Sequence, residues 1–229
     1  MHKFYCVFSS LWMLSAYAVA AVNLSATRVV FEPGKTAASI TLSNDAEYPV
    51  LVQSWIDDGA PERTPATASA PFIVLPPVFR LAPQAQKSLQ LLTSGKTLPQ
   101  DRESLLWLNV YEIPPTSPSA SSFELTIALR SQIKVLWRPI TVGKLPQNIG
   151  DKVRFRKKQN RLSAVNPTPW NISFSTISAT TCIWSGITLS PFSEQDLPTD
   201  CHLQNSEITF SIIDDAGLTQ RFRNRIEGV

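Results

Sequence analysis

Polarity alternates along one long run, FELTIALRSQIKVLWR at residues 123–138, and that run limits the chain to folds built on strands. Phe123, Leu125, Ile127, Leu129, Ile133, Val135 and Trp137 share one parity, interrupted only by Ser131. Glu124, Thr126, Arg130, Gln132, Lys134 and Arg138 dominate the other. Such alternation predicts a half-buried strand, because successive side chains point to opposite faces. At about 3.3 Å per residue the run would span roughly 50 Å, against a usual strand of about 5 or 6 residues. It is expected to outrun the core of its own domain. Apolar strand beyond a core invites aggregation, so a covering loop or a second polypeptide is expected to pair there.

The rest of the chain supports an all-β reading. Eighteen prolines against eight glycines, with abundant Val, Ile, Ser, Thr and Phe, favour short strands joined by proline-containing turns. Lys and Arg exceed Asp and Glu by 21 to 18, and a net charge of +3 is too small to argue for nucleic acid. The basic cluster of Arg154, Arg156, Lys157 and Lys158 reads as a solvated strand end.

Residues 1–20 read as a signal peptide. Lys3 supplies the positive start, residues 6–16 the apolar centre, and Ala18-Val19-Ala20 a small-x-small site with cleavage expected after Ala20. The apolar stretch is too short to span a membrane, so the mature chain is expected to be exported without membrane insertion. Cys6 stands at the start of the apolar centre and not at the cleavage point, which is the wrong place for a lipid attachment site, and leaves with the signal. Cys182 and Cys201 remain, with eighteen residues between them, and in an oxidising compartment they are expected to form a disulfide. Closing that loop would contribute about 3 kcal/mol in the chain-entropy model. With His202 as the sole histidine after cleavage and no CxxC pair, no metal site, cofactor or cysteine nucleophile is expected.

The organisation divides near residue 140. Strands are expected at 26–31, 37–43, 49–56, 72–75, 87–92, 104–111 and along the long run, with exposed loops at 57–71 and 114–122. Seven strands with regular turn signals suit an immunoglobulin-like sandwich over residues 21–139. Residues 140–146 have the Pro and Gly content of a linker. A second sandwich over 147–229 would use strands at 152–155, 161–165, 172–177, 184–189, 207–213 and 219–225. The pair Pro76-Pro77 is a candidate for a cis bond.

Several segments, in one order along the chain, carry a family resemblance: TRVVFEPG (27–34), TLSN (41–44), LPPVFRLAP (75–83), LPQDRESLLWLNVYEIPP (98–115), IALRSQIKVLWRP (127–139), NPTPW (166–170), PFS (191–193) and IDDAG (213–217). The chain resembles the PapD-like periplasmic pilus-assembly chaperones. The resemblance implies two immunoglobulin-like domains arranged as a boomerang around a cleft. It assigns Arg28 and Lys134 as cleft cations that anchor the C-terminal carboxylate of a pilin or fimbrial subunit. Phe123, Leu125, Ile127 and Leu129 match the alternating residues that the family lends to the subunit's open groove, in donor-strand complementation. Glu103, Arg138 and Asp215 match a charged trio bridging the domains. The resemblance further implies delivery of subunits to an outer-membrane usher, and self-association of the free protein through the same strand. The short segment before Phe123 and the lack of cysteines in the first domain resemble the short-loop subclass. Ala216 stands where the family usually has an aromatic residue, and Trp137 where it commonly has tyrosine.

Other functions fit the residues less well. An exported adhesin or carbohydrate-binding module would gather aromatics with Asn, Asp and Gln on loops, and no such cluster is evident. A hydrolase would need a convergent catalytic set. No GxSxG is present, and the close carboxylate pairs Asp57-Asp58 and Asp214-Asp215 are adjacent in sequence, which on a strand sends them to opposite faces.

Overall fold

Aliphatic and β-branched runs punctuated by Pro, Gly and Asn build the first half of the molecule. The computed structural model describes residues 21–93, 97–115, 127–158, 161–179, 182–198 and 207–228. One sheet is formed by β1 (Val22–Leu24), β3 (Ala37–Asn44), β7 (Gln86–Leu92) and β5 (Ile73–Leu75), in that spatial order. The second contains β2 (Arg28–Phe31), β9 (Leu129–Trp137), β8 (Ser104–Ile113), β4 (Val50–Asp57) and β6 (Val78–Leu81), again in spatial order. Phe31, Leu42, Val52, Leu89, Leu91, Leu108 and Val135 are fully buried between the sheets. Each such side chain contributes roughly 1.5 to 3 kcal/mol of burial.

A 3₁₀ turn (Ile149–Lys152) leads into the second sandwich. Its strands are β10 (Arg154–Lys158), β11 (Arg161–Asn166), β12 (Ile172–Ala179), β13 (Cys182–Ser185), β14 (Thr188–Leu189), β15 (Ser193–Leu197), β16 (Glu207–Ile213) and β17 (Thr219–Glu227). They follow the order β13-β12-β16-β17-β10-β11-β15, with β14 against β12. Phe155, Phe174 and Phe210 meet at ring centroids 5.2 to 6.4 Å apart in a separate core. The two halves repeat one device. Asn44 and Asn166, both fully buried, each use the side-chain amide to close the turn after a strand, on Tyr48 and Leu81 carbonyls in one case and Trp170 and Ser190 carbonyls in the other.

Several strand expectations shift. The long run is shorter than sixteen residues as described strand: β9 starts at Leu129, and Ile127 and Ala128 belong to no strand. The β8–β9 ladder stops at Glu112 opposite Leu129 because β8 ends at Ile113 and is followed by Pro114 and Pro115, which carry no amide donor. Residues 116–126 lie outside the described residues. β1, β6 and β15 escape the hydrophobic pattern, being short or, in β15, largely polar. The strand expected at 184–189 is two, β13 and β14, separated by Gly186 at φ +69°. The peptide before Pro76 is cis, where the chain crosses from β5 in one sheet to β6 in the other.

The two edges of β9 are paired unequally. On one side it is paired with β8 from Leu129 to Trp137. On the other it is paired with parallel β2 only from Lys134 onward, Arg28 lying opposite Lys134. Among the described residues no strand pairs the second edge of residues 129–133.

Candidate functional site

Arg28 opens β2 and Lys134 is its partner across the ladder, so two cations stand on strands about 4.8 Å apart. Their side chains turn toward the second domain. Lys134 Nζ donates to Ser173 Oγ at 2.8 Å and to Thr188 Oγ1, and it lies 5.8 Å from the Trp107 ring centroid. Arg28 Nη1 donates to the Ile213 carbonyl at 3.2 Å, and its Nε is buried without an acceptor among the described residues. Burial, reinforced by the neighbouring Arg28 charge, pushes the Lys134 ammonium down to about 8 from 10.5. Burial likewise lowers Arg28, against the opposing pull of Asp215, Asp214 and Glu103. Because the folded chain holds the Lys134 proton less tightly than the unfolded chain, the charged group opposes folding fully below about pH 8, and that penalty fades as pH rises toward 10.5. The pair is electrostatically uncomfortable by itself. A carboxylate, which accepts charge-assisted hydrogen bonds from both donors, is the chemical group that relieves it.

A second set of charges lies beside this pair and joins the domains. Arg138, 1 % exposed, donates through Nε to Glu103 Oε2 and through Nη1 and Nη2 to Asp215 at 2.6 and 2.7 Å. Glu103 Oε1 accepts from the Asn171 amide at 3.0 Å and from Asn171 Nδ2 at 2.9 Å, and the Glu103 amide donates to the Pro169 carbonyl at 2.8 Å. The structure therefore brings Glu103, Arg138 and Asp215 together. Gly217 shows how closely the domains approach: at φ +83°, a Cβ there would lie 2.7 Å from Thr27 Oγ1.

Beyond Lys134 the odd-numbered side chains of β9 emerge from the core. Trp137 and Val135 are buried, Ile133 is partly buried, Leu129 is 42 % exposed and Ile127 is 60 % exposed. Phe123 and Leu125 lie outside the described residues. Cys182 is buried and disulfide-bonded, and Cys201, the partner expected for it, also lies outside them. Sequence reasoning missed Ser173, Thr188, Asn171 and Trp107, all of which touch the two charge clusters. Their sequence signal is polar residues beside NPTPW and PFS and a tryptophan within the LLWLNV strand, which is too common to single them out.

Residues 21–143 match the family model described as pili and flagellar-assembly chaperone, PapD N-terminal domain, and residues 148–223 match pili assembly chaperone PapD, C-terminal domain. Chaperone protein FimC of Escherichia coli K12 is 33 % identical over 90 % of this chain and 84 % of its own length. Chaperone protein FimB/FhaD of Bordetella pertussis is 35 % identical over 70 % of this chain and 68 % of its own. Among solved structures, the E. coli chaperone DraB superposes with a TM-score of 0.77 at 33 % identity, covering 90 % of this chain and 96 % of that one. SafB, a chaperone solved with the Salmonella enterica SafA pilin, is represented by a match with TM-score 0.79 at 29 % identity, covering 92 % and 98 %. With both of its β-sandwich domains matched in order, the chain belongs to the PapD-like pilus-assembly chaperone family.

Proposed function

We propose that this chain is a non-enzymatic periplasmic chaperone that captures pilus or fimbrial subunits, holds them folded by donor-strand complementation, and delivers them to an outer-membrane usher. The observation that carries the reading is the half-paired strand: the edge of residues 129–133 that no strand pairs among the described residues runs straight to the Arg28–Lys134 pair. An incoming strand on that edge occupies the line on which β2 begins. If its terminal carboxylate meets Arg28 and Lys134, it must run in the direction of β2, parallel to β9. Backbone pairing then supplies affinity tolerant of subunit sequence, while Leu129, Ile127, Leu125 and Phe123 fill the subunit's own open groove. Each aliphatic side chain buried there is worth roughly 1.5 to 3 kcal/mol before ordering costs. Export after cleavage at Ala20 and a Cys182–Cys201 disulfide belong to the same proposal. Periplasmic co-expression with candidate pilins followed by pull-down tests it, and failure to recover any subunit from a cognate set would count against it.

Ile127→Glu puts a charge on a side chain that is exposed in the free protein and buried in the complex. The variant is expected to match the parent in thermal midpoint and to lose at least about tenfold in subunit affinity, since burying an unpaired carboxylate costs more than the lost methyls. Calorimetry on purified partners checks this; equal affinities would remove Ile127 from the contact.

Subunit affinity is also expected to depend on pH. A bound carboxylate favours charged Lys134, so affinity is at full strength below about 8 and falls as pH rises through that value, while Arg28 keeps its charge. Lys134→Arg should flatten the curve. A parent protein with constant affinity from pH 6.5 to 9.5 would contradict the role of the ammonium.

A further inference from the structure

The sheet face that carries Lys134 holds another polar cluster at the half-paired end of β9. Arg130 follows Leu129 and points to the opposite face. Its guanidinium stacks 5.0 Å from the Trp55 ring centroid. Nε donates to Asn109 Oδ1 at 2.8 Å, Nη1 to the Pro61 and Arg63 carbonyls at 2.9 and 3.1 Å, and Nη2 to Asp57 Oδ2 at 3.4 Å. Both acceptor side chains are themselves fixed. Asp57, fully buried, accepts from Trp55 Nε1 and the Gly59 amide, and Asn109, also fully buried, accepts from Gln132 Nε2 at 2.7 Å. One side chain thus ties β9 to β8, to β4 and to the loop that follows β4.

A strand with one neighbour has half its ladder and is free to fray or twist from the sheet. Residues 129–133 are in that position, yet they adjoin the side chains that a subunit must meet in fixed orientation. We propose that Arg130 is a positioning residue for subunit capture: its fork and stack hold the half-paired end of β9 flat, so that Leu129 and Ile127 are presented at one height and register before any subunit arrives. The loop takes part in this brace. Gly59, at φ +88°, packs where a Cβ would lie 2.3 Å from Trp107 Cδ1, on the indole beneath Lys134. Preorganisation of this kind raises affinity by reducing the ordering cost at binding. The capture half of the inference rests on the chaperone reading; the brace itself does not.

Amide hydrogen exchange of the free full chain and dissociation of a purified pilin complex, compared for the parent, Arg130→Lys and the charge-balanced Asp57→Asn/Arg130→Gln, test it. Arg130→Ala would leave Asp57 buried without its cation, so the balanced double variant keeps the test valid if the single one fails to fold. Exchange at residues 129–133 is expected to quicken about tenfold or more while β3 and β7 stay protected. Subunit dissociation should quicken about tenfold, while affinity still begins to fall at the same pH, near 8, because Lys134 is untouched. Arg130→Lys, which keeps the charge without the planar fork, should recover only part of either loss. Unchanged protection and dissociation in both variants would overturn the brace. A parent that captures no pilin, with the edge still loosened in the variants, would overturn the chaperone reading instead and with it the use assigned to the brace.

Discussion

Lys134→Met is expected to abolish useful subunit capture while leaving the chaperone at least as stable as its parent. The two effects have opposite causes. In the free protein the ammonium is half-buried beside Arg28, and burial and repulsion both favour its neutral form. Replacing it with an apolar side chain of similar length removes that penalty, so the denaturation midpoint should hold or rise near neutral pH. In the complex the same ammonium would be one of two donors to a desolvated carboxylate. Truncating one partner of a buried, hydrogen-bonded charge pair costs about 2 to 5 kcal/mol, much of it from the charge left unpaired. Isothermal titration with a purified subunit, run beside thermal denaturation, separates the two. A variant that binds normally, or one that binds poorly only because it unfolds, would both count against the anchor.

Arg138→Met should give a large loss of stability, about 3 to 5 kcal/mol, read by urea unfolding. Its guanidinium is 1 % exposed, and its removal strands Glu103, 2 % exposed, without a cation. Asn171 would still donate to Glu103, but two neutral donors do not replace a guanidinium. The double change Glu103→Gln/Arg138→Met removes both charges and should recover most of the loss, since a neutralised pair no longer carries an uncompensated ion. Asp215, on the more exposed side of the trio, should matter less. A single variant within about 1 kcal/mol of the parent would mean that the trio behaves as an ordinary surface pair. Loss of the trio should also loosen the angle at which Ser173 and Thr188 meet Lys134, so capture falls together with stability.

Much of this was legible in the sequence. Alternation located β3, β7 and β16, in which buried positions recur at every second residue, and apolar, β-branched content bounded by turn residues located β4, β8 and β12, which are covered on both faces for much of their length. Alternation failed at β1 and β6, too short to show a period although Val22 and Leu81 join the core, and at β15, which is largely polar; all three are held by backbone pairing to longer neighbours. It also overstated the described length of β9, because polarity records which face would be buried and cannot record that β8 stops at Ile113. Arg28, Lys134, Glu103, Arg138 and Asp215 came from motif resemblance. Ordinary charge counting would have left them on the surface. What no linear pattern contained was the far side of the cleft. Ser173 and Thr188 are separated from Lys134 by 39 and 54 residues, and only folding of the second domain against the first brings their hydroxyls to it. Arg130 was equally hidden, since on an alternating strand it reads as one more solvated cation.

A structure of the chaperone with a cognate subunit provides the distance that decides the central claim. The subunit's terminal carboxylate is expected within about 3 Å of Lys134 Nζ and within hydrogen-bond reach of the Arg28 guanidinium, its last strand running parallel to β9 along residues 129–133. A subunit strand that runs antiparallel there, or a terminal carboxylate left in solvent away from both cations, would contradict it.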